Sequence, residues 1–172
     1  MAAVLDWRPA RLVAARDLTS DIRALEIAPD GVFAEAPSGA HLKVAIQTNG
    51  RADTRSYSIV ETTPRGYLIA VKRLKQSRGG SAYMHGLEVG ARLQIAGPHN
   101  HFALSPNAPD YLLVAGGIGV TAIASHARAL ATRGAGFRFV YGARTREDLT
   151  LGDAAETFVS SEGRRIDLAA EF

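Results

Sequence analysis

The feature that most limits the fold is Gly116-Gly117-Ile118-Gly119-Val120-Thr121, set directly behind the apolar run Tyr111-Leu112-Leu113-Val114-Ala115. A short apolar run bounded by turn residues reads as a strand buried on both faces, the pattern of a parallel sheet. Behind the glycines, Val120, Ile123, Ala124, Ala127, Leu130 and Ala131 recur at helical spacing, and Gly134 supplies the stop. A second strand follows at Phe137-Arg138-Phe139-Val140-Tyr141. Strand, glycine turn, helix and strand in that order form a parallel α/β unit, in which nucleotides bind at the carboxyl ends of the strands. Gly117-x-Gly119-x-x-Ala122 fits a loose dinucleotide fingerprint, and it also fits a plain strand-to-helix turn.

Upstream, six short segments near 11–17, 22–28, 42–48, 55–61, 67–73 and 92–96 carry β-type patterning. Six such strands with one short helix predict a closed antiparallel barrel of Greek-key type, because closure removes exposed sheet edges. The turn-rich Ser105-Pro106-Asn107-Ala108-Pro109-Asp110 marks the boundary between a β-barrel domain over 1–106 and a partial α/β domain over 107–172. In the tail, 153–159 reads as a short helix and 166–172 as a strand or a frayed end. A third parallel strand is expected near 164–168, and the open edge of so small a sheet invites association with a partner or with a second copy.

Two segments of the barrel region carry chemistry. On a strand, residues two apart share a face, so Arg55 and Tyr57 of Arg55-Ser56-Tyr57-Ser58 point one way and Ser58 points across. A cation and a flat aromatic on one face suit a ligand that is anionic at one end and planar at the other. In Arg78-Gly79-Gly80-Ser81, the glycine pair lets successive backbone N–H groups curl into an anion-binding nest. Ser81 is expected to cap a short helical turn over 82–85, with Arg78 adding a permanent charge beside it. A simple Gly-Gly turn between strand and helix fits the same residues.

Composition narrows the remaining classes. At 172 residues the chain holds one or two small domains, and it has no cysteine, hence no disulfide framework and no thiol nucleophile. No apolar run approaches a membrane span and the first seven residues lack a signal-peptide core, which points to a cytoplasmic protein. Between Arg51 and Arg78, seven basic residues (Arg51, Arg55, Arg65, Lys72, Arg73, Lys75, Arg78) face two acidic ones, Asp53 and Glu61. That excess suits an anionic cofactor or an acidic protein partner, and equally a solvated barrel face. Nucleic acid is disfavoured, because these cations are not interleaved with a stacking platform. His99 and His101 share a strand face but lack a third ligand nearby in sequence, so no metal site is expected. His126 is expected at the surface of its helix.

Taken together, Arg-x-Tyr-Ser at 55–58, the strand 67–73, Arg-Gly-Gly-Ser at 78–81, Tyr83-Met84-His85, Gly97-Pro98-x-Asn100-x-Phe102 and Gly-Gly-Ile-Gly-Val-Thr at 116–121 make the chain similar to a known family. It resembles the phthalate dioxygenase reductase/vanillate demethylase reductase family of the ferredoxin reductase-like superfamily, over about Arg11 to Arg144. The resemblance implies a barrel that binds FMN, with FAD as the alternative, and a nucleotide domain that binds NADH or NADPH. It implies that Arg55 and Gly79-Gly80-Ser81 hold the flavin phosphate, with Ser56 and Arg78 also among the cofactor-binding residues. Tyr57 would lie on the ring, Ser58 near its N5, and Ala70, Val71 and Lys72 along the flavin. Gly117 and Thr121 would face the nicotinamide, with Gly116 also among the cofactor-binding residues, making Ser58, Tyr57 and Thr121 the residues nearest the reacting atoms. Members of that family usually carry a plant-type iron–sulfur domain, whereas a chain without cysteine cannot supply the four thiolates, so no cluster is expected in it. Members also continue through further parallel strands, so the second domain is expected to be a shortened one. Arg144 and Arg146, rather than an acidic residue, stand at the end of the second α/β strand and are placed with the cofactor-binding residues.

The implied function is a flavin-dependent oxidoreductase that takes hydride from NAD(P)H and passes electrons to an oxygenase or ferredoxin-type partner. Two other classes fit the same residues: a non-catalytic flavin-binding or interaction subunit with a degenerate nucleotide domain, and a nucleotide-binding module without flavin.

Overall fold

The structure is a computed structural model that describes residues 6–48, 50–106, 108–153, 155–164, 166 and 167. The chain divides into two compact units, Met1–Ala103 and Leu104–Phe172.

In the first unit, strands β1 (Trp7–Asp17), β2 (Ile22–Pro29), β3 (Ala40–Thr48), β4 (Arg51–Thr63), β5 (Gly66–Lys72) and β6 (Arg92–Asn100) close into a barrel of order β1-β2-β5-β4-β3-β6. Every pairing is antiparallel. This is the six-stranded Greek-key barrel expected from the strand pattern. The alternation of the sequence sets the inside: on β3, Ala40, Leu42, Val44 and Ile46 are buried while the residues between them are not. They meet Leu12, Leu25, Ile27, Ile69 and Ile95 in one apolar core, where each large side chain contributes roughly 1.5–3 kcal/mol. Helix α1 (Gly80–His85) adds Met84, which is fully buried in that core. Tyr67 is also fully buried, with its hydroxyl donating to the Ala34 carbonyl at 2.8 Å and its ring edge-on to Phe33.

One break in the ladder shapes the rest. Strands β4 and β5 pair only from Ile59↔Ile69 to Thr63↔Gly66, with a register shift between Ile59 and Glu61. Beyond that point β4 turns to β3, pairing from Ser58↔His41 to Arg51↔Thr48. Tyr57 and Ser58 on one strand and Ala70 to Lys72 on the other therefore flank a parting in the wall.

The second unit is a parallel sheet of order β7-β8-β9, built from β7 (Tyr111–Gly116), β8 (Phe137–Ala143) and β9 (Glu156–Val159). A 3₁₀ turn over Gly117–Gly119 leads into α2 (Val120–Thr132). Gly134, at φ +65°, ends this helix as expected: its N–H reaches the Ala131 carbonyl and the Ala135 N–H reaches the Leu130 carbonyl, both at 3.0 Å. Among the described residues, no helix is long and apolar enough to cross a membrane.

Three expectations need correction here. Of the segment 153–159, Glu156–Val159 is a strand rather than a helix, because it pairs with the free edge of β8 from Val140↔Glu156 to Ala143↔Val159, and residue 154 lies outside the described residues. Arg138 adds an ion pair across that seam to Glu156 at 2.9 Å. The third strand is thus 156–159 and not 164–168. Ile166 and Asp167 lie outside any strand, and Arg165 and 168–172 fall outside the described residues. Finally, His126 is buried, at 2% exposure, because the buried arc of α2 is wider than its apolar stripe and takes in Ser125 and His126.

Candidate functional site

Strand β4 presents Asp53, Arg55 and Tyr57 in alternation, each partly buried, while Ser56 and Ser58 lie opposite Lys43 and His41 of β3 on the other face. Arg55 Nη1 forms an ion pair with Asp53 Oδ2 at 2.7 Å and donates to the Thr54 carbonyl at 2.9 Å. Its Nη2 is buried and has no hydrogen-bond partner within the protein. A buried guanidinium N–H without an acceptor costs free energy that an anion would recover. The Thr54 N–H, at 2.7 Å, is the main reason that the Asp53 carboxyl lies below its ordinary range, followed by the Arg55 hydrogen bond; the charge of Arg78 acts in the same direction.

The Gly79-Gly80 turn comes to the same place. Gly79 takes φ +92° and caps α1, which begins at Gly80. A Cβ on Gly80 would stand 2.8 Å from Arg55 Nε and 3.1 Å from Ile46 Cδ1. Arg55 thus lies against bare backbone, an approach that needs glycine. The cap differs from expectation. Ser81 does not cap the helix; its Oγ accepts the Leu74 N–H at 3.1 Å and lies near Ser77 Oγ. The glycine's left-handed conformation starts the helix two residues earlier and turns Ser81 back onto the preceding loop. Arg78 is exposed.

Beyond Arg55, Tyr57 packs against the barrel core while remaining partly exposed. Burial pushes its hydroxyl up to about 12 against the opposing effect of Arg55, so the phenol is neutral throughout the physiological range. Across the parting, the side chains of Ala70 and Val71 are buried, and Lys72 forms an ion pair with Asp21 at 3.2 Å. The Val71 carbonyl hydrogen-bonds to His85 Nε2 of α1 at 2.8 Å.

In the second unit, Gly117 takes φ +50°, and Gly116, Gly117 and Gly119 have nothing within 4 Å of where a Cβ would stand. Thr121 is buried and donates its hydroxyl to the Ile118 carbonyl at 3.0 Å, which fixes the turn and leaves only its lone pairs for a ligand. A cleft of about 360 Å³ opens at the carboxyl ends of the parallel strands, lined by Gly117, Gly142, Ala143, Arg144, Phe158, Ser160, Arg164 and Ile166. Arg144 lines it. Arg146 does not; both arms of its guanidinium meet Glu162, at 2.8 and 3.1 Å.

Sequence reasoning missed two partners. Asp53 neutralises part of Arg55, and its i−2 position on the same strand was the available signal. His41 brings a third imidazole beside the His99 and His101 pair, with ring centroids 5.8 and 5.4 Å away, because β3 pairs with β6 at His41↔His99. Among the described residues, no group of three or more ligating side chains is arranged to hold a metal ion.

Known proteins place this architecture. The oxidoreductase FAD-binding domain family matches residues 9–104. The chain is 39% identical over 164 residues to the phenoxybenzoate dioxygenase subunit beta of Ectopseudomonas oleovorans, covering 89% of this chain and 50% of that protein. It is 38% identical to the phthalate 4,5-dioxygenase oxygenase reductase subunit of Pseudomonas putida, covering 87% of this chain and 49% of that protein. The solved structure of phthalate dioxygenase reductase superposes with a TM-score of 0.86 at 28% identity, over 97% of this chain and 56% of that one. The chain spans about half the length of these relatives. By family match, sequence and fold together, the chain belongs to the oxidoreductase FAD-binding domain family, among the ferredoxin reductase-like proteins.

Proposed function

We propose that the barrel holds FMN by its phosphate, between Arg55 and the Gly79-Gly80 turn, and that the glycine-rich turn of the second unit receives the nicotinamide end of NADH or NADPH. The observation that carries this reading is the buried, unpartnered Arg55 Nη2 lying against glycine backbone. One anion cradle matches the single phosphate of FMN. FAD, which gives the family its name, would use the same cradle and extend its adenosine beyond it.

A bound flavin accepts hydride and releases single electrons; the chain's residues bind and orient it. Arg55 supplies a permanent charge that Asp53 holds in place, and the Gly80 backbone lets the phosphate approach closely. Tyr57 offers a flat, neutral wall to the ring. Ser58, at the parting of β4 and β5, is the hydroxyl we assign to the ring's N5. Gly117 leaves room for the nicotinamide, with Thr121 holding the turn behind it. Relatives named as reductase subunits of oxygenase systems support an electron-transfer role with an oxygenase or iron–sulfur protein as acceptor. Any cluster would need thiolates from outside these 172 residues, which hold no cysteine.

Anaerobic mixing of the flavin-loaded chain with NADH or NADPH tests the reading. Bleaching of the flavin's visible absorbance supports the reductase. A flavin that binds but stays oxidised with both donors would favour the non-catalytic flavin-binding subunit, and a chain that binds nucleotide but no flavin would favour the simple nucleotide module.

A further inference from the structure

Ser58, His41 and His99 form one row across three strands. Ser58 of β4 is paired with His41 of β3, and His41 with His99 of β6, so the three side chains share one face of the barrel wall. His41, half-buried at the centre of the row, has its ring centroid 5.8 Å from that of His99 and 5.4 Å from that of His101. The buried Nε2 of His99 has no hydrogen-bond partner within the protein. On β3 the neighbouring charge on this face is Lys43, and β4 offers hydroxyls, Ser58 opposite His41 and Ser56 opposite Lys43. Among the described residues, no carboxylate acts on His41. Burial, and then the charges of His101, His99 and Lys43, keep its imidazole below the usual range, so near pH 7 it is neutral.

An imidazole kept neutral by burial and like charge takes up a proton when a negative charge arrives beside it. A flavin that has accepted hydride carries one negative charge more than before. Ser58 is the hydroxyl assigned above to the ring's N5. Opposite residues on paired strands stand about 5 Å apart at Cβ, and a hydrogen bond from Ser58 adds about 3 Å. The new charge therefore forms roughly 10 Å from His41, where Coulomb's law at an effective dielectric near 20 gives about a tenfold gain in proton affinity. We propose that His41 is a redox-linked proton site, taking a proton from solvent when the flavin beside Ser58 is reduced and returning it when the electrons leave. The hydrogen on N5 arrives with the hydride, so the proton on His41 is a second one, and both are released as the acceptor takes the two electrons. By linkage, the protonated imidazole favours the reduced flavin by the same factor. The inference rests on the flavin site proposed above and adds a proton to its cycle.

NMR titration of the FMN-loaded chain tests this without turnover, following the His41 ring against pH in the oxidised protein and again after anaerobic reduction with dithionite. The expected result is a titration midpoint about one pH unit higher in the reduced protein, the tenfold gain given above. A His41 with a purely structural role would titrate alike in both states. An indicator dye should also report more protons taken up per flavin reduced at pH 6.5 in the wild type than in His41→Asn. Equal midpoints in the two redox states, or equal uptake by the two proteins, overturn the inference and leave the flavin site standing. A chain that binds no FMN overturns both. The wild-type titration alone decides the matter if His41→Asn fails to fold.

Discussion

Arg55 of β4 and Gly80 at the start of α1 lie so close that a Cβ on Gly80 would come within 2.8 Å of Arg55 Nε. Two segments distant in sequence thus build one cradle, and the second must stay bare for the first to fit. Gly80 has an ordinary helical backbone, so alanine would not strain the chain itself; the conflict is with the guanidinium. Gly80→Ala should push Arg55 aside and weaken FMN binding by about 1.5 kcal/mol, the low end for a hydrogen bond to a charged group. Fluorescence titration measures it, and wild-type affinity would mean that Arg55 accommodates the methyl without losing its ligand.

Gly117 carries the corresponding expectation for the nucleotide half. No atom of the protein lies within 4 Å of the position of a Cβ there, so a side chain would occupy the space assigned to the nicotinamide. Its φ of +50° adds a backbone cost of roughly 1–2 kcal/mol, confined to the second unit. Gly117→Val should slow flavin reduction by NAD(P)H in stopped flow and leave flavin affinity nearly unchanged. Parallel loss of both would trace the effect to unfolding.

Tyr67 tests the barrel independently of any ligand. Its hydroxyl is fully buried and donates to the Ala34 carbonyl, so Tyr67→Phe leaves that carbonyl without its donor. The variant should lose about 1–2 kcal/mol of unfolding free energy in urea with an unchanged slope. A neutral result would show that the Ala34 carbonyl finds water instead.

The His41 imidazole is held below its usual value by burial first, then by His101, His99 and Lys43. The unfolded chain therefore takes up a proton at His41 at higher pH than the folded one does. Stability from this group is complete above about pH 6.5, the unfolded value, and falls as pH drops below it. His41→Asn should flatten the decline in Tm between neutral and mildly acidic pH. An identical decline in the variant would move the titration to other groups.

What was legible in the chain follows from local rules. The Gly134 stop, the alternation on β3 and the turn at Gly117 are set by periodicity and glycine conformations, and each stands where those rules put it. The Arg55 cradle was legible only in part. The strand spacing put Arg55 and Tyr57 on one face, but the pairing with Asp53 and the close approach of Gly80 depend on how β4 meets the α1 loop. Ser81 has good capping chemistry, yet Gly79 pre-empted it by starting the helix earlier. Residues 156–159 became a strand because β8 offered an unpaired edge, a long-range cause invisible to helical propensity. His41 joined His99 and His101 for the same kind of reason, through the β3–β6 register.

The central claim is that Arg55 anchors a flavin phosphate in the barrel, and titration of FMN into the wild-type and Arg55→Ala proteins measures it most directly. The wild type should bind one FMN saturably, and Arg55→Ala should weaken that binding by about 1.5–3 kcal/mol, the scale of a charged hydrogen bond. The same titration with riboflavin, which has no phosphate, should show little difference between the two proteins. An Arg55→Ala protein that keeps wild-type affinity for FMN would contradict the account and place the phosphate elsewhere.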